Sequence, residues 1–192
     1  LIIEKKHSVC DGSRAIAWSR KSLEYLDSLG VGQKVSAKGI GWKEGHLYNG
    51  DNKVFQFNLS QDDTYKWPPF INLQQYYLEQ YLVERANELP GIEIRWGNNA
   101  NKITSSGSKV DLEIETESGK YEITSEFVIA ADGANSIVRR KLELPLIGFK
   151  SHENFLIVDI LFESDQPAVR KFWFNPTFHE GSSALMVKQP DN

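Results

Sequence analysis

Between residues 73 and 89, Tyr77, Leu78, Tyr81, Leu82, Arg85, Ala86 and Leu89 fall near one stripe at helical spacing, and Pro90-Gly91 closes the run. That pattern predicts an amphipathic helix over 73–89. A shorter helix is predicted from Ser19, where Leu23, Leu26 and Leu29 mark one face. Ser19 or Ser22 offers its N-cap, and Gly30 lies just past its end. Residues 1–6 read as a short buried strand ending in Glu4-Lys5-Lys6, followed by turn chemistry around Asp11-Gly12. Residues 39–57 are glycine-rich with aromatic punctuation, and Asn49-Gly50 signals a hairpin turn. Trp67-Pro68-Pro69 interrupts the chain before the long helix.

Beyond the helix, strands are predicted at 92–96, 110–116 and 121–124, the last two joined across Glu117-Ser118-Gly119. Residues 127–131 form a continuous apolar run bounded by Asp132-Gly133, the mark of a strand buried on both faces. A short helix is predicted over 136–142, and strand-like runs return at 155–162, 171–174 and 184–187. Alternating helices and strands place the chain in the α/β class (α+β overall), with an extended, mostly antiparallel sheet toward its end.

Composition narrows the function. The 192 residues carry a net charge of −4, which excludes a nucleic-acid-binding module, since that needs a basic face against phosphate. No apolar run approaches the length of a membrane span, and no signal peptide is visible. The single cysteine, Cys10, allows no internal disulfide, so a cytoplasmic setting is expected. Asn58-Leu59-Ser60 fits the glycosylation pattern by chance alone in such a setting. The chain opens on Leu1-Ile2-Ile3 rather than Met, as if cut into an existing strand.

Two glycine-rich stretches, Gly30-Val31-Gly32 and Gly39-Ile40-Gly41, do not read as phosphate loops. A dinucleotide loop leaves a strand and opens a helix so that its amides face the anion, whereas the first of these follows a helix. Turn and helix C-cap roles are expected for both. Glu4, at the end of a strand, suits an acceptor for ribose hydroxyls, although any exposed glutamate ending a strand looks the same. Asp132-Gly133, between an apolar strand and a helix start, suits a sugar-hydroxyl acceptor beside a glycine that lets the backbone approach a ligand. A simple turn with Asp at its start is the alternative. His7, His46, His152 and His179 show no metal-ligand spacing, and Cys10 shows no activating signature beyond Asp11. Phe172, Trp173, Phe174 and Phe178 either line an aromatic pocket or pack a sheet.

The motif VIAADGANSIVRR resembles the Asp-Gly motif of the FAD-dependent aromatic hydroxylases, the class A flavoprotein monooxygenases with a para-hydroxybenzoate hydroxylase-like fold. GSRAIAWSRKSLEYLDSLGVGQKV, QQYYLEQYLVERA and FWFNPTFHEGSSALMVKQPDN resemble further segments of that family in the family order, the last closest to the branch of 3-(3-hydroxyphenyl)propionate hydroxylase-like enzymes. The resemblance implies a partial Rossmann-like FAD-binding domain over 1–38 and 69–148. An interleaved substrate-binding domain would occupy 39–68 and 149–192. It implies that Glu4 binds the adenosine ribose and that Arg14 lies against the pyrophosphate or flavin, with Arg20 a weaker second candidate. Gln75 would reach the ribityl or pyrophosphate region, and the Ala100 backbone would meet adenine. Asp132 would hold the ribityl or pyrophosphate end, with Gly133 allowing close approach. Ser136 and Arg139 would tie the motif together and assist nicotinamide-cofactor docking.

The implied activity is hydroxylation of a small phenolic substrate with O2 and NADH or NADPH, through a flavin C4a-hydroperoxide. No catalytic residue is assigned; Tyr48 and His179 are weak candidates for a base. Same-scaffold epoxidases, halogenases and reductases, or a non-catalytic α/β module, stay open. The family's N-terminal phosphate loop and later Gly-Asp motif are missing, so this polypeptide alone is expected to bind FAD weakly or not at all. Unpaired strand edges lead us to expect self-association, including homo-oligomers.

Overall fold

A computed structural model describes residues 1–12, 15–59, 64–149, 151–161 and 165–191. In chain order the elements begin with β1 (Ile2–Glu4), β2 (Ala17–Ser19), α1 (Arg20–Ser28), α2 (Gly32–Lys38), β3 (Ile40–Trp42) and β4 (Glu44–Asn49). They continue with β5 (Asn52–Asn58), β6 (Phe70–Asn72), α3 (Gln75–Asn87), β7 (Ile94–Trp96), β8 (Asn99–Ser106) and β9 (Lys109–Thr116). The last are β10 (Gly119–Ser125), α4 (Ile137–Lys141), β11 (Val169–Phe174) and β12 (Ser183–Met186). They divide into two compact units, one of Leu1–Ser8 with Leu89–Leu156, the other of Val9–Glu88 with Ile157–Asn192.

In the first unit β1 and β7 pair in parallel, bringing Glu4 opposite Trp96. β8, β9 and β10 form an antiparallel meander. The hairpin expected at residues 117–119 is present, with Gly119 at φ +137°. β8 is a strand that its own pattern does not announce, because NANKITSS lacks alternation. Its partner supplies the reason: Ala100 lies opposite Ile114 and Ile103 opposite Leu112. Leu112 and Ile114 are buried, so β9 carries the apolar face and β8 satisfies its backbone. α4 begins where expected, with Ser136 as N-cap accepting from the Arg139 amide.

The expected strand at 127–131 is not one. These residues have no ladder partner among the described residues, and Phe127 and Ile129 are 85% and 92% exposed. An apolar run gains from becoming a central strand only where neighbours accept its N–H and C=O groups on both edges. The parallel pair β1–β7 is the only parallel sheet described in this unit, and it does not include the run. The expected strand at 155–162 fails in the same way: residues 155–161 are exposed coil, and Phe162 lies outside the described residues.

The second unit holds the larger core. Ser19 caps α1 by accepting from the Ser22 amide at 3.3 Å, and Leu23 and Leu26 turn inward. Leu29, expected on that face, is instead the C-cap and is exposed. The glycines that follow are there for packing. A Cβ on Gly32 would lie 2.7 Å from Asp27 Cα, and one on Gly39 would lie 2.7 Å from Ile71 Cδ1. Gly30, at φ +85° after the α1 C-cap, and Gly39, the C-cap of α2, take the expected turn and cap roles, whereas Gly32 opens α2 and Gly41 lies within β3. Val31, Val35, Trp67, Ile71, Leu73 and Leu78 complete the core, and Trp18, Tyr77, Tyr81 and Leu82 pack on it. β2, β6 and β3 form an antiparallel sheet.

A mixed sheet of order β12-β11-β4-β5 completes the unit, with β11 parallel to β4 and the other two pairs antiparallel. The Asn49-Gly50 hairpin joins β4 to β5 as expected, Gly50 at φ +57°. The tail of the chain is tied down by side chains standing in for a ladder. Asn72 Nδ2 donates to the Lys188 carbonyl at 2.8 Å, and Gln74 Nε2 donates to the Pro190 carbonyl at 2.9 Å. Lys38 pairs with Asp191 at 2.6 Å, and Tyr77 donates to the same carboxylate.

Candidate functional site

Glu4 sits at the carboxyl end of β1, half-buried, where a parallel strand delivers it. Its Oε1 accepts from the Lys6 amide at 2.9 Å, and its carbonyl accepts from the Asn98 amide at 3.0 Å. The chain then turns through Gly97, whose amide donates to the Lys6 carbonyl at 2.8 Å. Gly97 is held at φ +66°, and a Cβ there would meet the His7 ring at 2.7 Å. This tight crossing at the ends of β1 and β7 leads directly into β8. There Ala100 faces Ile114, beside a bulge between Ala100 and Lys102. Glu4 and Ala100 therefore share one end of the first unit.

Asp132 belongs to the same unit, and α4, which follows it, packs against β8. Its Oδ1 accepts from Ser136 Oγ at 2.6 Å, and its Oδ2 accepts from the amides of Ile137 and Val138 at 2.7 and 3.1 Å. The Ser136 hydroxyl, followed by these amides, holds the Asp132 carboxyl below the usual carboxylate range. Both oxygens are thus engaged with the start of the helix, and the carboxylate orders the turn that presents the Gly133 backbone. Gly133 takes φ +78°, and nothing lies within 4 Å of where its Cβ would be, so the peptide there is open to approach. Arg139 donates to the Leu144 carbonyl at 3.2 Å, bracing the other end of α4.

In the second unit, Gln75 opens α3 and is held at both ends of its amide. Its Oε1 accepts from the Ala15 amide at 3.2 Å, and its Nε2 donates to Glu79 Oε1 at 2.6 Å. Glu79 Oε2 in turn accepts from the Cys10 amide at 2.9 Å. Arg14 lies outside the described residues. Arg20 is committed to packing: its Nε donates to the Trp67 carbonyl at 2.9 Å, and its guanidinium lies 3.9 Å from the centre of the Tyr65 ring.

The aromatic group at 172–178 is split between the two faces of the mixed sheet, as alternation along β11 requires. Phe172 and Phe174 meet edge to face at 4.7 Å between ring centroids. Trp173, pointing the other way, stacks on Tyr48 at 5.0 Å and meets Phe178 edge-on at 5.8 Å. On Trp173's side of the sheet lies a constellation that spacing rules for metals pass over. His46 Nε2 approaches Glu44 Oε1 at 2.5 Å, and Tyr48 Oη lies 3.4 Å from His46 Nδ1. Glu44, His46 and Tyr48 occupy alternate positions of β4, a period-two signal readable in the sequence once the segment is known to be a strand. No group of three or more His, Cys, Asp or Glu suited to a metal occurs among the described residues. No helix among them is long and apolar enough to cross a membrane.

Comparison with known proteins adds a family match, two relatives and two solved structures. The sequence profile of the FAD binding domain family matches residues 1–188. Para-nitrophenol 4-monooxygenase of Pseudomonas sp. strain WBC-3 is 23% identical over 167 residues, covering 85% of this chain and 41% of that protein. A 3-(3-hydroxy-phenyl)propionate/3-hydroxycinnamic acid hydroxylase of Escherichia coli strain SMS-3-5 is 24% identical over 161 residues, covering 83% of this chain and 29% of that protein. Among solved structures, p-nitrophenol 4-monooxygenase PnpA from Pseudomonas putida DLL-E4 superposes with a TM-score of 0.71 at 26% identity, over 77% of this chain and 38% of that one. The flavin-dependent monooxygenase PieE, solved with FAD and substrate, shares the fold at a TM-score of 0.68 and 22% identity, over 77% of this chain and 28% of that one. The chain thus spans well under half the length of these relatives.

Proposed function

The chain belongs to the FAD binding domain family, and from that premise we propose that it is the cofactor-and-substrate portion of an aromatic hydroxylase that uses NADH or NADPH and O2 on a small phenolic substrate. The observation that carries this reading is the family match over residues 1–188. The two relatives named for aromatic substrates support it, each matching more than four fifths of the chain. We assign 1–38 and 69–148 to the flavin-binding part and 39–68 and 149–192 to the substrate-binding part.

Within the first unit, the residues present fit a flavin nucleotide. Glu4, with a carboxylate at a strand's carboxyl end, accepts from the hydroxyls of the adenosine ribose, while the Ala100 backbone borders adenine. Asp132 fixes the turn so that the open Gly133 peptide meets the ribityl or pyrophosphate end. For the second unit, the family resemblance alone assigns Gln75 and Arg14, the latter outside the described residues, to the pyrophosphate or flavin end. FAD, when bound, supplies the activation of oxygen that these side chains do not. The chain's own part is to bind, orient and exclude water. On the substrate side, the stacked Tyr48–Trp173 pair offers a flat apolar surface to an aromatic ring, with His46 beside it. We place the protein in the cytoplasm and expect homo-oligomers.

The test is NAD(P)H oxidation by the longest natural polypeptide containing these residues, across a panel of phenolic acids, with products identified. Oxidation stimulated by one phenol, with a hydroxylated product in step, is the expected result. Stimulated oxidation yielding an epoxide or halogenated product would move the protein to another chemistry on the same scaffold. No flavin uptake and no oxidation would overturn the reading in favour of a binding module.

A further inference from the structure

Where β3 gives way to β4, the second unit holds a cavity of about 290 Å3. Trp42, Pro68, Pro167 and Val169 give it apolar surface, and Lys43 and Glu44 bring charge to it. Trp42 stacks on Phe70 at 5.2 Å between ring centroids, and the Arg170 guanidinium carbon lies 5.4 Å from the centre of the indole. Trp42 is 7% exposed, and its indole N–H is buried with no acceptor. The register of the parallel pair builds this corner. Val169 lies opposite Glu44 and Arg170 opposite Gly45, so the start of β11 brings a cation to the strand that Trp42 and Lys43 precede.

Charge at the corner is unbalanced. Among the described residues, neither the Arg170 nor the Lys43 side chain has a carboxylate partner. Glu44 is the one acidic residue on the cavity. Its Oε1 already accepts from Gln56 Nε2 at 2.9 Å and meets His46 Nε2 at 2.5 Å. Stacking on an aromatic face uses the charge of a guanidinium and leaves its in-plane N–H donors for an anion.

We infer that this corner is a binding site for a small aromatic carboxylate, with Arg170 and Lys43 taking the carboxylate and Trp42, Pro68 and Pro167 taking the ring. A buried donor without an acceptor favours negative charge arriving beside it, so the indole N–H adds to the same preference. The volume suits a single-ring acid. The site is separate from the Tyr48–Trp173 surface. Tyr48 and Trp173 lie four residues farther along their strands than Glu44 and Val169, a distance of about 13 Å. Nothing in this recognition requires flavin, so it goes beyond the reading above and stands or falls separately.

The probe is benzoate, titrated by calorimetry into the longest natural polypeptide containing these residues. Saturable binding tighter than about 1 mM is expected. Benzamide, the same ring without the charge, should bind about tenfold more weakly. Arg170→Gln should weaken benzoate binding about tenfold, and Arg170→Lys by less, because it keeps the charge and loses the fork. Lys43→Gln should cost about threefold, since Lys43 is exposed. In NMR spectra of the indole N–H groups, benzoate should move the Trp42 signal, identified by its loss in Trp42→Phe.

Equal affinity for benzamide would overturn the choice of a carboxylate. Parent-like affinity in Arg170→Gln would overturn the assignment to this corner, as would binding that moves other indoles and leaves Trp42 in place. No binding up to about 10 mM benzoate would overturn the site altogether. Should Trp42→Phe not fold, the Arg170 and Lys43 variants decide alone. Failure of the parent to take up FAD would undo the functional reading and leave each of these outcomes unchanged.

Discussion

The segment from Phe70 to Leu73 and the segment from 127 to 131 are both largely apolar, and they meet opposite fates. Ile71 and Leu73 are fully buried. Ile71 lies in β6, which is paired on both edges by β2 and β3, and Leu73 follows it, in a core where Leu23 of α1, Val31 and Val35 of α2 are neighbours. Phe127 and Ile129 have higher intrinsic strand preference than much of β8, yet they stay exposed without a ladder. Hydrophobicity sets how much a segment gains from burial, and partners decide whether the gain is realised.

The largest effect that sharpens this contrast is in the paired segment. Ile71→Ala should lower unfolding free energy by about 2–5 kcal/mol, because its neighbours are held by two helices and collapse poorly onto a void; urea denaturation gives the value. Gly32→Ala comes next, at about 1–3 kcal/mol, since the new methyl group would press on the Asp27 backbone. An unchanged urea midpoint in that variant would reopen the assignment of this glycine to packing.

Ser136→Ala should cost about 1 kcal/mol in the stability of α4. It should also let the Asp132 titration rise toward the ordinary carboxylate range, as followed by NMR. The sign follows from the depressed folded-state value. The carboxylate's contribution is complete above the unfolded carboxyl's range and is lost as pH falls through the folded value. The smallest effect is in the unpaired segment: Ile129→Ala should change stability by less than about 0.5 kcal/mol. Ile129→Lys should reduce self-association in sedimentation, because an exposed apolar strand-former invites pairing with another copy. A loss of several kcal/mol on Ile129→Ala would break the contrast by showing the run buried.

What was legible in the sequence was local. Pro90-Gly91 stops α3, the Asn49-Gly50 and Gly119 turns make their hairpins, and Ser19 and Ser136 cap their helices, because each rests on chemistry within a few residues. β8 was not legible, since its reason for being a strand lies in β9. The continuous apolar run at 127–131 predicts burial, but burial depends on neighbours, and Phe127 and Ile129 stay exposed. The site divides in the same way. Asp132 before a helix start was visible, but its capture of Ser136 and two amides makes it the organiser of the Gly133 turn. Gln75 is readable near the opening of a helix, but its hold on the Ala15 amide is not, because that amide lies 60 residues away.

The most direct test of the account is an FAD titration of the longest natural polypeptide containing these residues, with Glu4 intact and with Glu4→Ala. The geometry at the ends of β1 and β7 predicts tight binding by the parent. The variant should bind FAD about tenfold more weakly, while FMN, which has no adenosine ribose, should bind both equally. Equal FAD affinity in parent and variant would contradict the nucleotide site built on Glu4.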